Sequence, residues 1–252
     1  MAVLDCESYE SSIRSICDIY RTTPDQIIGF LSAIDLDKET ATSKSVDEYL
    51  RSVFEIQFGQ PVEPLNSTSW FHFTRVLPNA SFSEGILPLP LAKGRVWEAL
   101  VTIPSDPQIK RNLKDLKENG VPDYQYNQKA SHSLDDGPFG MLIRELAFHA
   151  EAIGNVDYLK LPELVDDICK GYKSKYGKSI RNEISHGLRK CIVKFKSTER
   201  TEDGLIAPAL YYSWVKANDK KFDDVDRSAV AYSFNGSGAT IPFEAIQRIE
   251  FV

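Results

Sequence analysis

The spacing of the apolar residues changes once along the chain, and this change constrains the fold more than any other feature. Before Gly59, the segments ESYESSIRSICDIY, TTPDQIIGFLSAI and SVDEYLRSVFEIQFG repeat apolar residues at helical spacing, and the second opens with a threonine cap and a proline. The connector QPVEPLNSTS follows, and residues 69–76 then alternate as in a β-strand. The sequence therefore predicts a helical N-terminal region over residues 1–60 and a second domain over residues 66–252.

The second domain is predicted to mix helices and strands. GRVWEALVTI, PQIKRNLKDLKENG, LPELVDDICKGYKSKYG and residues 137–154 have helical spacing, whereas CIVKFKS alternates as a strand and IQRIEFV is predicted to form a strand or a short mixed element. Residues 121–136 are polar and are predicted to form a loop, and residues 208–217 are predicted to form a strand or a short mixed element. Helices come first and in the middle and strands cluster late, which favours an α+β fold over a doubly wound sheet.

Composition excludes several classes of protein and site. The formal net charge of -6 argues against a generally basic coat for nucleic acid. No apolar run approaches the roughly 20 residues of a membrane helix, and the N-terminus MAVLDCESYESS does not resemble a secretion signal. The four cysteines form no CxxC pair, and no metal-binding pattern is present. We therefore expect reduced thiols, a cytoplasmic location, no bound metal and no contact with a membrane.

The stretch SWFHFTR carries an unusual set of polar residues on a strand. With a period of two, His72 and Thr74 point to one face, while Phe71, Phe73 and Arg75 point to the other. A histidine and a hydroxyl at fixed spacing suit the binding of a flat amide and a sugar hydroxyl. The alternative is a half-buried histidine that serves packing alone.

WFHFTR and the following FSEGILPL resemble the first conserved block of the ADP-ribosyltransferase superfamily, in the branch of poly(ADP-ribose) polymerases and diphtheria-type toxins. There a strand carries His-x-Thr/Ser, often followed by Arg, and a Gly-Ile/Leu step comes soon after. The resemblance implies a mixed or antiparallel β core with helical insertions. It also implies NAD as the substrate, bound by His72, Thr74, Arg75 and Gly85.

The same resemblance implies a catalytic acid and a stacking aromatic residue. Cleavage of the nicotinamide–ribose bond builds positive charge on the ribose, so a carboxylate must lie near it. GSGATIPFEAIQRIEFV resembles the closing segment of such domains, which makes Glu244 the expected acid, with Glu250 behind it. Tyr211 or Tyr212 would stack on the ring. The implied activity is transfer of ADP-ribose to a protein or nucleic-acid acceptor, or NAD hydrolysis, in a toxin or phage-defence effector.

A second local motif gives a different prediction. Arg181, Asn182 and His186 in SIRNEISHGLRK resemble the RNxxxH motif of HEPN ribonucleases. That resemblance implies metal-independent RNA cleavage in a cleft between two protomers, and hence a dimer. The structural alternative is a basic helix C-terminus that stabilises the helix dipole and stops at Gly187. A third possibility for the whole chain is a non-catalytic module that binds a partner.

Overall fold

The computed structural model describes residues 1–36, 44–131, 137–154 and 157–252, and these ranges contain eleven α-helices and six β-strands. The helices are α1 (Tyr9–Tyr20), α2 (Pro24–Ala33), α3 (Val46–Phe58), α4 (Leu89–Thr102), α5 (Pro107–Asn119), α6 (Tyr124–Ser131), α7 (Ala150–Ile153), α8 (Glu163–Tyr176), α9 (Arg181–Gly187), α10 (Ile206–Ala217) and α11 (Arg227–Val230). The strands are β1 (Ala2–Leu4), β2 (Leu65–Val76), β3 (Phe139–Met141), β4 (Arg189–Ser197), β5 (Ser233–Asn235) and β6 (Ile246–Phe251). This content confirms the predicted α+β class.

The strands form one sheet in the order β5-β3-β2-β4-β6, and β1 pairs with β2 outside this order. Strands β2 and β3 are antiparallel, with Phe71 opposite Met141, whereas β1 and β2 are parallel. The sheet is therefore mixed. Strand β2 begins earlier than the alternating pattern of residues 69–76 indicates.

The residues divide into two compact units, each built from three stretches of sequence. The first unit consists of Met1–Phe71, Gly140–Val156 and Lys194–Phe234. The second unit consists of His72–Phe139, Asp157–Val193 and Asn235–Val252. The division falls within β2 and within β4. The predicted domain boundary between residues 60 and 66 stays a prediction.

Helix α10 forms the centre of the first unit. Helices α1, α2, α3 and α11 all contact it, and every residue of α10 from Ile206 to Val215 is buried. The surrounding helices begin with strong local signals, since Ser8 and Thr23 each form a reciprocal capping box. The three helices predicted before Gly59 are confirmed.

The prediction of a strand or mixed element over residues 208–217 is wrong, because this segment belongs to α10. A helix that is buried on every side has no polar face, so its sequence shows no helical period. Its tyrosines, tryptophan and valine also favour strands when they are considered singly. Pro208 does not prevent the helix, because it lies in the first turn, where no backbone hydrogen-bond donor is needed.

Two further segments differ from the prediction. Residues 124–131 of the predicted loop form α6, which is fixed by a hydrogen bond from Trp97 Nε1 to Tyr126 Oη of 3.1 Å, while residues 132–136 lie outside the described residues. Residues 137–154, predicted as a helix, form β3, a 3-10 helix (Arg144–Phe148) and α7. A Cβ atom on Gly140 would lie 2.8 Å from the ring of Phe195, so β3 requires glycine for this close approach.

The second unit has its own apolar core between α4, α5, α6, α8 and α9. Trp97, Leu113, Ile168, Tyr172 and Ile184 are among its buried members. The helices predicted over GRVWEALVTI, PQIKRNLKDLKENG and LPELVDDICKGYKSKYG are confirmed, and α5 ends at Gly120 as expected. Within the described ranges, no helix combines the length and the apolar character that would let it cross a membrane.

Candidate functional site

Strand β2 holds His72 in a defined orientation. The side chain is half-buried, and its Nδ1 lies 2.7 Å from the carbonyl oxygen of Phe139. A carbonyl oxygen can only accept, so Nδ1 carries the hydrogen. Burial lowers the pKa of His72 because it disfavours the charged ring, and the hydrogen bond to Phe139 only partly opposes this effect. The imidazole is therefore neutral at neutral pH.

Thr74 lies two residues further along β2, on the same side as His72. Its side chain is half-buried. The spacing along a strand places the two side chains about 6.5 Å apart. Together they present a ring nitrogen and a hydroxyl, which are both uncharged.

Arg75 lies on the opposite side of β2 and is engaged with backbone carbonyl groups. Its Nε donates to Leu159 O at 2.7 Å, and its Nη1 donates to Ser185 O at 2.6 Å and to Leu188 O at 3.1 Å. Ser185 and Leu188 lie at the C-terminal end of α9, where a cation is favourable to the helix dipole. Burial lowers the pKa of Arg75. Through these hydrogen bonds, Arg75 holds the end of α9 and the turn at Leu159 next to β2.

At position 85, only glycine permits both the backbone conformation and the close approach of a neighbouring carbonyl oxygen. Its φ is +81°, and a Cβ atom there would lie 2.0 Å from the carbonyl oxygen of Ile241. The next residue, Ile86, forms an antiparallel bridge with Ile241: the two N–H groups donate to the opposite carbonyls at 2.9 and 3.0 Å. The predicted Gly-Ile step is therefore bound to the segment that leads into Glu244.

Residues 236–245, the β5–β6 connection, link this bridge to the region of His72. Near its start, Gly236 N–H donates to Pro138 O at 3.0 Å and Gly238 N–H donates to Gly137 O at 2.8 Å. Near its end lies the 3-10 helix (Phe243–Ala245), which exposes the Glu244 side chain to solvent. Within the second unit, backbone hydrogen bonds thus join the segment that accepts from the His72 ring, the Gly85 step and the Glu244 segment. Glu250, the expected supporting acid, lies on β6 and is half-buried.

The two predicted stacking tyrosines belong to the first unit, whereas His72 belongs to the second. Both are buried in α10. Tyr212 Oη donates to Glu145 Oε2 at 2.9 Å, and Tyr211 Oη accepts the N–H of Asp226 at 3.1 Å. Burial, with Glu145 beside it, raises the pKa of Tyr212. Both rings therefore serve the packing of the first unit.

The residues of the RNxxxH motif lie on α9, a helix of 7 residues followed at once by β4. Arg181 Nε donates to Asp166 Oδ1 at 2.5 Å, and this hydrogen bond raises the pKa of the guanidinium. Asn182 and His186 are exposed. The arginine is thus engaged with α8, while the other two residues face solvent.

A charged cavity of about 290 Å³ lies next to Arg181, within the second unit. Its lining consists of Gln125, Lys129, Asp157, Leu161, Glu163, Asp166, Asp167, Lys170 and Arg181. Asp167 is almost fully buried and accepts from Lys129 at 2.7 Å and from Lys170 at 3.2 Å. No sequence pattern predicts this network, because its members come from α6, α8, α9 and the turn before α8.

Comparison with protein families, with curated proteins and with solved structures finds no match to this chain. No described residues form a group of three or more His, Cys, Asp or Glu side chains arranged to hold a metal ion. The geometry around β2 and the β5–β6 connection is therefore the basis on which function is inferred.

Proposed function

We propose that the chain binds NAD against the His72 face of β2 and cleaves its nicotinamide–ribose bond. The ADP-ribose would pass to a macromolecular acceptor or to water. One observation carries the proposal: backbone hydrogen bonds join the carbonyl region that orients His72, the Gly85 step and the segment of Glu244 within one unit. The resemblance to ADP-ribosyltransferases singles out the strand of His72, the Gly85 step and the segment of Glu244.

Each residue has a defined role in this proposal. His72 and Thr74 hold the ribose and the amide, since both present uncharged hydrogen-bonding groups on one face. Glu244 supplies the carboxylate that stabilises positive charge as the bond breaks. Gly85 brings the chain close to Ile241 and so fixes the segment that carries Glu244.

Two other residues receive different roles. The guanidinium of Arg75 already donates to three carbonyl groups, so we assign it to supporting α9 and not to binding phosphate. The buried positions of Tyr211 and Tyr212 give no support to stacking on the nicotinamide ring. The proposal therefore rests on His72, Thr74 and Glu244.

Thermal unfolding with and without NAD tests the binding step. A ligand at 100 times its dissociation constant stabilises a protein by about 2.7 kcal/mol, which is a readily measured rise in Tm. We expect this rise in the wild type and its loss in His72→Ala. His186→Ala is the matched control, because it removes an exposed histidine of the same unit and should keep the response.

Release of nicotinamide, followed by chromatography, tests the chemical step. Glu244→Gln should bind NAD as the wild type does and should release nicotinamide at least 100-fold more slowly. The absence of any Tm response to millimolar NAD in the wild type would overturn the proposal. Unchanged turnover in Glu244→Gln would remove Glu244 from it.

The ribonuclease interpretation is tested with the same variants. Exposed Asn182 and His186 on α9 would be accessible to RNA, and a working site would require a dimer. In that case His186→Ala should abolish RNA cleavage, and NAD should have no effect on Tm. A partner-binding module would show neither NAD binding nor RNA cleavage.

A further inference from the structure

Positive charge is concentrated in one short segment of the second unit. Residues 170–190, KGYKSKYGKSIRNEISHGLRK, contain 7 of the 30 basic residues of the chain and 1 of its 36 acidic residues. The segment runs from the second half of α8 through α9 to the first residues of β4. Because the whole chain carries a net charge of -6, this segment is a strong local departure from an acidic background.

Some of these cations are occupied within the fold, and the others are exposed. The occupied ones each form an ion pair with a carboxylate of α5 or α8: Lys170, Lys175 and Arg181. The exposed ones are Lys173, Lys178, Arg189 and Lys190. Within the described ranges, no carboxylate forms an ion pair with any of these three exposed lysines. Glu183 is the single acid of the segment and is half-buried, so the exposed surface here is net positive.

Helix α9 gives this surface a regular spacing. Asn182 and His186 are four residues apart and both exposed, so they lie on one face of the helix. Lys178 lies four residues before this pair, and Arg189 and Lys190 come directly after the helix. We call these five residues the α9 strip. With 7 residues, α9 is about 11 Å long, so one extended ligand can contact the cations at both of its ends.

The C-terminal end of α9 is also prepared for a negatively charged group. A helix C-terminus normally repels an anion, because its unpaired carbonyls carry partial negative charge. Here Arg75 offsets that charge, since its Nη1 donates to Ser185 O at 2.6 Å and to Leu188 O at 3.1 Å. Arg189 follows at once, and its guanidinium lies 4.3 Å from the centre of the Phe251 ring, which holds it in place.

The apolar residues of α9 and its flanks are unavailable to a partner. Ile180, Ile184 and Leu188 are all buried. A protein interface usually has an aromatic or aliphatic anchor at its centre, and a helix on a membrane surface needs an apolar face to insert. The α9 strip offers only cations and polar groups. Such groups match the repeated phosphates of a nucleic acid.

We propose that the α9 strip binds the sugar–phosphate backbone of a nucleic acid, DNA or RNA alike, without reading its bases. The binding requires no NAD, so it stands or falls independently of the proposed NAD function. It also differs from the ribonuclease interpretation, which requires RNA, because contacts to phosphate do not involve the 2′-hydroxyl group.

Fluorescence anisotropy with labelled single strands of about 20 nucleotides tests the binding in the absence of NAD. We expect DNA and RNA of the same sequence to bind with affinities within about threefold of each other. Three phosphate contacts on a single strand predict a slope of about -2 for the logarithm of affinity against the logarithm of salt concentration. No binding at about 50 mM salt, or binding of RNA alone, would overturn the proposal.

Charge reversal locates the binding surface. Lys178→Glu combined with Lys190→Glu changes two exposed residues of the α9 strip. We expect affinity to fall by about tenfold or more and the salt slope to shrink by about 1.4. The matched control is Lys114→Glu with Lys117→Glu, which makes the same change of net charge at exposed positions of α5 in the same unit. Its affinity should stay within about twofold of the wild type, and equal losses in both double variants would overturn the proposal.

A conservative pair and two other polyanions complete the test. Lys178→Arg with Lys190→Arg keeps both charges and should keep the wild-type affinity, so a folded arginine variant that binds about tenfold more weakly would contradict phosphate binding. Polyglutamate, and vesicles of phosphatidylcholine and phosphatidylserine, carry negative charge without a sugar–phosphate chain. Both should bind about tenfold more weakly than DNA at the same salt concentration. Equal affinity for either one would overturn the assignment of a nucleic acid to this surface.

Discussion

At the scale of single residues, Gly85 is the position where a side chain is least compatible with the structure. Its positive φ is unfavourable for other residues, and a Cβ atom would lie 2.0 Å from Ile241 O. We expect Gly85→Ala to lower the free energy of unfolding by about 2–4 kcal/mol, measured by urea denaturation. Gly94→Ala is the control and should be neutral or stabilising by up to about 1 kcal/mol, because Gly94 is helical with no atom nearby. Equal stability of the two variants would contradict the close approach.

Arg75 gives a second prediction at this scale. Arg75→Met would leave the carbonyls of Leu159, Ser185 and Leu188 without their shared donor. Buried acceptors that lose a partner cost about 1–3 kcal/mol each, and water can recover part of this. We expect a net loss of about 2–4 kcal/mol in chemical denaturation, and a smaller loss in Arg75→Lys. A fully stable Arg75→Met that binds NAD weakly would instead indicate contact with the ligand.

The polar face of β2 could be predicted from sequence, whereas its hydrogen-bond partners could not. Alternation along a strand places His72 and Thr74 on one side whatever the rest of the fold is. The partner of His72 is a backbone carbonyl 67 positions away in sequence. Every residue carries a backbone carbonyl, so no sequence pattern shows which carbonyl will accept a given hydrogen bond. The same reason applies to Arg75, which the resemblance assigned to NAD binding and whose hydrogen-bond partners are backbone carbonyls.

At the scale of elements, prediction succeeded where one face of a helix meets solvent and failed where none does. Helices α1 and α5 each have one buried face and one exposed face, and their first and last residues were predicted closely. Helix α10 has no exposed face over most of its length, so its sequence shows no helical repeat of polar and apolar residues. Helix α6 was missed for the opposite reason: it is largely polar, and Tyr126 is a buried aromatic residue on a helix with few apolar residues.

The attachment of α6 to α8 gives a prediction at this scale. Asp167 on α8 is buried and is paired with Lys129 on α6, whose side chain is 25% exposed, and with Lys170, whose side chain is 56% exposed. Lys129→Met should destabilise by about 1–3 kcal/mol, because a buried carboxylate loses its more buried partner. Lys170→Met should cost less than about 1 kcal/mol, as for exposed ion pairs. Thermal denaturation of the two variants provides the comparison, and the reverse order of effects would contradict this account.

At the scale of the whole molecule, the α+β class followed from the order of helical and strand patterns, but the division into units did not. Each unit combines three stretches of the chain, and β2 and β4 each contribute to both. Sequence reasoning places boundaries at proline-bearing connectors such as residues 60–69. A boundary inside a continuous strand leaves no trace in the sequence, since the alternation of side chains between the two faces continues through it. The pairing of Ile86 with Ile241 also joins residues far apart in sequence, and no sequence pattern predicts it.

Buried thiols and phenols distributed over the whole molecule predict a stepwise loss of stability in alkali. Burial raises the pKa of Cys6, Cys169 and Cys191 to about 12, and it also raises the pKa of Tyr212. A group whose pKa is higher in the folded state stabilises fully below its unfolded pKa and loses this contribution as the pH rises. The unfolded values are about 8.5 for cysteine and about 10 for tyrosine.

The free energy of unfolding should therefore decline from about pH 8.5, by about 1.4 kcal/mol per pH unit for each thiol that stays protonated, and more steeply above about pH 10. Urea denaturation under reducing conditions measures this slope. Cys6→Ala should reduce it from about pH 8.5 upward, whereas Tyr212→Phe should reduce it only above about pH 10, so that each variant controls for the other. A stability that is flat to pH 11 would contradict the burial of these groups, because buried protonated thiols must resist ionisation that the unfolded chain undergoes.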